Sequence, residues 1–171
     1  MPEVRQVLKQ ITAKVPAIFL PFKVVKDYPA PERWNDGLGF VTVKLVCCCG
    51  SERFRVSTAY RMDGAEKILL SPVFVACEHC AQTELLFDAS IHGWDGMVSP
   101  GEERVSASTA NSFKPVAGTV IVNYSYQGIE NYEELLDDGV PNPEDYFDTL
   151  SIYFIDPSDG VCEPIASFEC A

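Results

Sequence analysis

Five of the seven cysteines in this 171-residue chain fall into two short clusters. The first cluster is the run Cys47–Cys49, which Gly50 follows, and the second is the Cys-x-x-Cys pair Cys77 and Cys80. Thiolates hold zinc at about 2.3 Å in closed sites with four ligands, and two short turns can supply those ligands. The clustering therefore indicates metal ligation and argues against a disulfide framework.

The strand predicted to end in the first cluster separates its three cysteines. In a β-strand alternate side chains share a face, so Cys47 and Cys49 point to one side and Cys48 to the other. Gly50 can adopt the positive φ that lets a tight turn aim its amides at a thiolate sulfur. The predicted metal is zinc, and its predicted ligands are Cys47, Cys49, Cys77 and Cys80.

The elements that must position these residues are mostly strands. An amphipathic helix is predicted at Pro2–Lys14, where apolar residues recur at spacings of three and four. Alternation and β-branched or aromatic composition predict the strands. Their bounds are Gly39–Cys49, Phe54–Tyr60, Lys67–Cys77, Glu84–Asp88, Val116–Tyr126, Phe147–Ile155 and Val161–Phe168, with an extended segment at Ala17–Val25. Turn residues at Asp156–Gly160 predict an antiparallel hairpin between the last two strands.

The segment Val46–Phe87 resembles the zinc-ribbon family, in which two turns at the ends of β-hairpins supply four metal ligands. The resemblance implies a ligand role for Cys47, Cys49, Cys77 and Cys80, and for no other residue. The segment departs from the family pattern in its first turn, where Val46 stands in the place of a ligand. Alternative ligand sets therefore stay open, in which Cys48, His79 or His92 replaces one of the four cysteines.

The predicted fold class is mainly β, an α+β chain with one N-terminal helix. We expect an antiparallel sheet or sandwich with an inserted zinc-ribbon-like lobe at about 46–87, within a single domain of residues 1–171. Ser99–Ser112, which is rich in small and polar residues, is predicted to be a mobile loop. A short helix is predicted at Asn131–Asp137.

Charge is distributed unevenly along the chain, whose net charge is −12. All 13 Lys and Arg residues lie at or before Lys114, and 12 of the 25 acidic residues follow it. Eight of those 12 lie in the acidic segment, Glu130–Asp148. Nucleic acid is an unlikely partner for such a surface, because binding to phosphates depends on Lys and Arg.

Complementary charge favours a basic protein as the partner of the acidic segment. Aromatic side chains serve as anchors in many protein interfaces, and four accompany these carboxylates. The predicted anchors are Tyr126, Tyr132, Tyr146 and Phe147. A surface that only keeps the protein in solution is the simpler alternative.

A zinc-dependent hydrolase-like enzyme is the competing prediction, with His92 and Asp95 beside an open coordination position. The chain has only two histidines, and four cysteine ligands would leave no such position. A turn with a structural role is therefore preferred at His92–Gly96. A zinc ribbon that binds nucleic acid ranks lower, because of the acidic segment. We thus expect a zinc-binding protein in which the metal is structural, and we favour a role in protein interaction over an enzymatic activity, which stays open.

Clustered thiols fit a reducing compartment, so a cytoplasmic location is predicted. No run approaches the roughly 20 apolar residues that a membrane-spanning helix needs, and the first residues lack the pattern of a signal peptide. We therefore expect no membrane association, and the sequence does not indicate an oligomeric state.

Overall fold

The structure is a computed structural model that describes residues 2–29, 37–92, 106–126 and 134–170. It has a long N-terminal helix, α1, at Pro2–Ala13 and a four-residue helix, α2, at Ala89–His92. Two 3₁₀ helices lie at Ala17–Phe19 and Pro143–Asp145. The strands are β1 Lys23–Lys26, β2 Phe40–Val46, β3 Phe54–Asp63, β4 Glu66–Cys77, β5 Thr83–Phe87, β6 Asn111–Ser112, β7 Thr119–Ser125, β8 Thr149–Ile155 and β9 Cys162–Glu169.

These strands form two antiparallel sheets, which confirms the predicted fold class. The larger sheet has the order β1-β2-β7-β8-β9, and the smaller has the order β5-β4-β3-β6. In the larger sheet Val43 pairs with Val122, which in turn pairs with Ile152. In the smaller sheet Val56 pairs with Val75. Paired residues share a face of their sheet, so each set forms an apolar row across the strands.

The apolar rows of both sheets belong to one hydrophobic core. Val43, Val122 and Ile152 of the larger sheet are fully buried, and so is Val56 of the smaller sheet. Leu8 and Ile11 of α1 and Phe19 of the first 3₁₀ helix join the same core. Burial of each such side chain contributes about 1.5–3 kcal/mol. The strands of Val46–Phe87 therefore supply one layer of this shared core.

A backbone contact joins the two sheets beside the first cysteine cluster. The N–H of Phe54, at the start of β3, donates to the carbonyl of Gly118 at 2.8 Å, and the N–H of Gly118 donates back at 2.9 Å. Arg53 adds a hydrogen bond to the carbonyl of Ala117 at 3.1 Å. A side chain at Gly118 would collide with the carbonyl of Ile155 and the ring of Phe154, so only glycine permits this approach.

The predicted elements match the observed ones closely from residue 39 onward. Each predicted strand has an observed counterpart whose bounds differ by a few residues. The predicted hairpin between the last two strands is confirmed, with Ile155 paired to Cys162. The extended segment predicted at Ala17–Val25 is wrong in its first half, which is a 3₁₀ helix. There the consecutive residues Ile18 and Phe19 are both buried, which a half-buried strand does not allow.

Two other predicted segments lie partly outside the described residues. Of the predicted loop Ser99–Ser112, the described part contains a turn at 107–109 and strand β6, which pairs with β3. Of the predicted helix Asn131–Asp137, residues 134–137 are helical. Among the residues that the structure describes, no helix combines the length and the apolar composition that a membrane crossing needs.

Candidate metal centre

The first cysteine turn follows directly from β2. Cys47 continues the buried row of that strand and is 5% exposed. The chain then reverses, with a hydrogen bond from the N–H of Gly50 to the carbonyl of Cys47 at 2.8 Å. Gly50 has a φ of 92°, a conformation that side chains with a Cβ rarely adopt. This turn brings Cys49 back beside Cys47.

The second cysteine turn joins β4 to β5. Cys77, the last residue of β4, is 2% exposed. The N–H of Ala81 donates to the carbonyl of Cys77 at 3.0 Å, and Ala81 has a φ of 59°. Both turns therefore end on a residue with positive φ directly after their second predicted ligand, Cys49 or Cys80.

An ion pair and a backbone hydrogen bond hold the two turns against each other. Arg53 Nε lies 2.9 Å from Glu78 Oε2, and the N–H of Glu78 donates to the carbonyl of Arg53 at 3.0 Å. Sequence reasoning missed this contact. The pairing of Phe54 with Cys77 in the β3–β4 hairpin is the pattern that places Arg53 beside the second turn.

Four cysteine sulfurs converge between the turns. The Sγ atoms of Cys47 and Cys80 lie 3.5 Å apart, and those of Cys49 and Cys77 lie 3.6 Å apart. All four sulfurs lie within 4.8 Å of one another. Sulfurs bound tetrahedrally to one zinc ion would be about 3.8 Å apart, whereas a disulfide bond is about 2.05 Å long. The spacing therefore fits shared ligation of one ion and excludes disulfides in this arrangement.

Backbone amides point at three of these sulfurs. Cys47 accepts a hydrogen bond from the N–H of Cys49, Cys77 accepts from the N–H groups of His79 and Cys80, and Cys80 accepts from the N–H of Gln82. Hydrogen bonds to a sulfur stabilise its thiolate form. Both turns thus supply ligand atoms and part of the environment that a metal-bound thiolate needs.

The sulfurs differ in how readily they ionise. Burial opposes ionisation of Cys77, but the amides of Cys80 and His79, together with the thiols of Cys47 and Cys49, lower its pKa to about 6. Burial raises the pKa of Cys47 well above its ordinary value, and neighbouring thiols add to that effect. Without a cation Cys77 thus ionises more readily than Cys47, and binding of a metal by Cys47 would release its proton.

Cys48 lies at the edge of this group and is not one of the four clustered sulfurs. Its Sγ is 3.9 Å from that of Cys47 and donates to the side-chain oxygen of Gln82 at 3.1 Å. The separation of Cys48 from its neighbours was predicted from strand alternation. However, β2 ends at Val46, so Cys49 reaches the group through the turn.

The histidines do not join the four sulfurs. His79 is exposed and contributes its backbone N–H to Cys77, while its ring is not among the clustered ligand atoms. His92 follows the opposite end of β5, a strand about 13 Å long. Its Nδ1 accepts a hydrogen bond from the N–H of Asp88 at 3.0 Å. Asp95, its predicted catalytic companion, lies outside the described residues.

Comparison of the chain with protein-family models, with curated proteins and with solved structures found no match. The geometry of the four sulfurs is therefore the main observation that bears on function. It establishes a cysteine cluster able to hold a metal ion.

Substitutions at Gly50 and Ala81, the residues with positive φ that end the two cysteine turns, should change the free energy of unfolding in opposite directions. Ala81→Gly relieves a backbone conformation that costs residues with a Cβ about 1–2 kcal/mol, so we expect a gain of up to about 1 kcal/mol in the free energy of unfolding. Gly50→Ala imposes the same kind of strain and should cost about 1–2 kcal/mol. Urea denaturation of the metal-loaded protein measures both. Equal effects of the same sign would contradict this account of the turns.

Proposed function

We propose that the protein binds one zinc ion through four thiolates and that the ion has a structural role. The observation that carries the proposal is the convergence of four sulfurs within 4.8 Å. Tetrahedral sets of four sulfurs suit zinc or iron, and the resemblance of Val46–Phe87 to zinc ribbons favours zinc. The proposed ligands are Cys47, Cys49, Cys77 and Cys80.

The positions of the ligands support a structural role. Four protein ligands complete a tetrahedral site and leave no position for a substrate. Cys47 follows β2 of the larger sheet, whereas Cys77 ends β4 of the smaller sheet. An ion held by both would link the two sheets at one end of their shared core.

The two alternative functions have less support from the described residues. A hydrolase would need His92 at the metal, but its ring lies beyond the far end of β5 and Nδ1 is engaged by a backbone amide. For nucleic acid, two cations near the site are already paired. Lys44 contacts Glu52 at 2.8 Å, and Arg53 contacts Glu78 at 2.9 Å.

Metal analysis of single serine variants tests the ligand set. Protein purified under reducing, chelator-free conditions should contain about one zinc per chain. Serine at any one of the four proposed ligands should abolish stoichiometric zinc, because a neutral hydroxyl is a poor zinc ligand. Cys48→Ser is the matched control and should keep its zinc. Wild-type protein without stoichiometric metal, or loss of zinc in Cys48→Ser, would overturn the proposal.

Removal of the metal should lower the melting temperature. At free zinc about a thousand times the dissociation constant, binding stabilises the folded state by about 4 kcal/mol. For a domain of this size that corresponds to roughly 8–16 °C. Thermal unfolding with and without a chelator measures the difference. Cys49→Ser should show no chelator effect, and an unchanged melting temperature in the wild type would count against a structural ion.

We further propose that the acidic segment, Glu130–Asp148, provides a docking surface for a basic protein. Support comes from its exposed part, where Glu134, Asp137 and Asp138 accompany Leu136, which is 50% exposed. Other carboxylates of the segment serve internal contacts. Glu144 pairs with Lys14 at 3.0 Å, and Asp145 accepts a hydrogen bond from the N–H of Ala17 at 2.6 Å.

The predicted aromatic anchors of this surface need correction. Tyr126 is 4% exposed and Phe147 is fully buried, because both belong to the hydrophobic core. Neither can insert into a partner. Tyr146 is partly exposed, and Tyr132 lies outside the described residues. Among the described residues the proposed surface therefore reduces to 134–138.

Neutralising the exposed carboxylates should weaken binding to a lysine-rich peptide. The triple variant Glu134→Gln, Asp137→Asn and Asp138→Asn should lose at least about fivefold in affinity, with a reduced dependence on salt. The matched control removes three exposed charges elsewhere, through Asp63→Asn, Glu66→Gln and Asp159→Asn. Titration by fluorescence anisotropy compares the two. Equal losses would mean that net charge alone attracts the peptide, and the docking surface would be wrong.

A further inference from the structure

A cleft of about 450 Å³ lies where three distant parts of the chain meet, and no cysteine lines it. Its walls come from the first 3₁₀ helix, from α2 and from the segment around the second 3₁₀ helix. Its volume falls in the range of sites for small molecules. The lining residues are Ala17, Ile18, Ile91, His92, Pro141, Asp145 and Tyr146.

The hydrogen bond from Asp88 determines what His92 can offer to this cleft. Because Nδ1 accepts the N–H of Asp88 at 3.0 Å, the neutral ring carries its proton on Nε2. Burial lowers the pKa of His92, although the carboxylates of Asp88 and Asp145 oppose that effect. Within the described residues no protein group accepts the Nε2 proton. As a lining residue of the cleft, His92 therefore has an Nε2–H that can donate a hydrogen bond.

Asp145 gives the same cleft a fixed negative charge. The N–H of Ala17 donates to its Oδ1 at 2.6 Å and holds the carboxylate in place. Oδ2 has no hydrogen bond from the part of the chain that the structure describes. Among the described residues that line the cleft there is no Lys or Arg, and nearby Lys14 is paired with Glu144. A carboxylate held in a cleft without a neighbouring cation from the described lining favours a positively charged ligand.

We propose that this cleft binds a small organic amine that also carries a hydroxyl or carbonyl oxygen. The ammonium contacts the carboxylate of Asp145. The oxygen accepts the Nε2 proton of His92, and the carbon chain packs against Ile18 and Ile91. A small anion is rejected, because it would meet the charge of Asp145. The site is separate from the cysteine cluster and does not depend on the proposed zinc function.

Amide chemical shifts of the full, metal-loaded chain test the proposal. The probes are ethanolamine, choline and glycinamide, with glycolate as the anionic control. We expect saturable shifts of the amides of Ala17, Ile91 and Tyr146 at millimolar amine, and none with glycolate. If none of the three amines produces saturable shifts there, or if glycolate produces the same shifts, the proposal is wrong.

Two variants assign the roles within the cleft. Asp145→Asn keeps an oxygen for the N–H of Ala17 but removes the charge, and amine affinity should fall by about tenfold or more. His92→Phe keeps a ring against Phe87 and removes the donor, so it should weaken ethanolamine more than an amine without oxygen, such as ethylamine.

Asp159→Asn is the matched control, because it removes one exposed carboxylate in the β8–β9 turn. Its side chain likewise accepts a backbone N–H, from Val161 at 2.8 Å, which asparagine can preserve. We expect its amine affinity to equal that of the wild type. Unchanged affinity in Asp145→Asn, or an equal loss in Asp159→Asn, would overturn the proposal.

Discussion

The contact between the two cysteine turns is the constraint on which the candidate metal centre depends. One turn ends a strand of the larger sheet and the other joins two strands of the smaller sheet, so packing of the shared core sets their separation. Arg53 and Glu78 hold the turns in register. Four thiolates this close would repel one another, so a cation is needed to hold all four in the ionised form. Burial raises the pKa of Cys47, whereas backbone amides and neighbouring thiols lower the pKa of Cys77 despite its burial.

The strands of this protein could be predicted from sequence because their patterns reflect burial directly. Phe54, Val56 and Thr58 alternate with more exposed residues in β3 and are all buried. The same alternation identified Cys47, which continues the inward row of β2. Cys49 also lies in the cluster, but strand alternation does not explain how it gets there, because β2 ends at Val46. A reversal at Gly50, with its positive φ, brings Cys49 back, and a strand pattern contains no information about that path.

Contacts between distant residues account for what the sequence did not reveal. Lys14 and Glu144 are separated by 130 positions, and Ala17 and Asp145 by 128. Counting charges in the sequence cannot distinguish Glu144 and Asp145 from carboxylates that face only solvent. Both in fact hold the N-terminal region against the second 3₁₀ helix. The role of His92 depends on a local contact, in which the backbone amide of Asp88 decides which ring nitrogen keeps its proton. Composition and spacing cannot specify the two long-range contacts, because these form only when distant parts of the chain come together.

Because the two sheets share one hydrophobic core, a metal ion would have only a local role in stabilising this fold. In a small isolated ribbon the ion substitutes for a core that the chain is too short to build. In this chain β3, β4 and β5 already bury Val56, Val75 and Leu86 against the larger sheet. An ion at the cysteine turns would therefore act on one end of the sandwich, where the Phe54–Gly118 contact also joins the sheets. Loss of the ion would therefore loosen the contact between the sheets at the cysteine turns first. Central strands such as β7 would keep both neighbouring strands and their buried side chains.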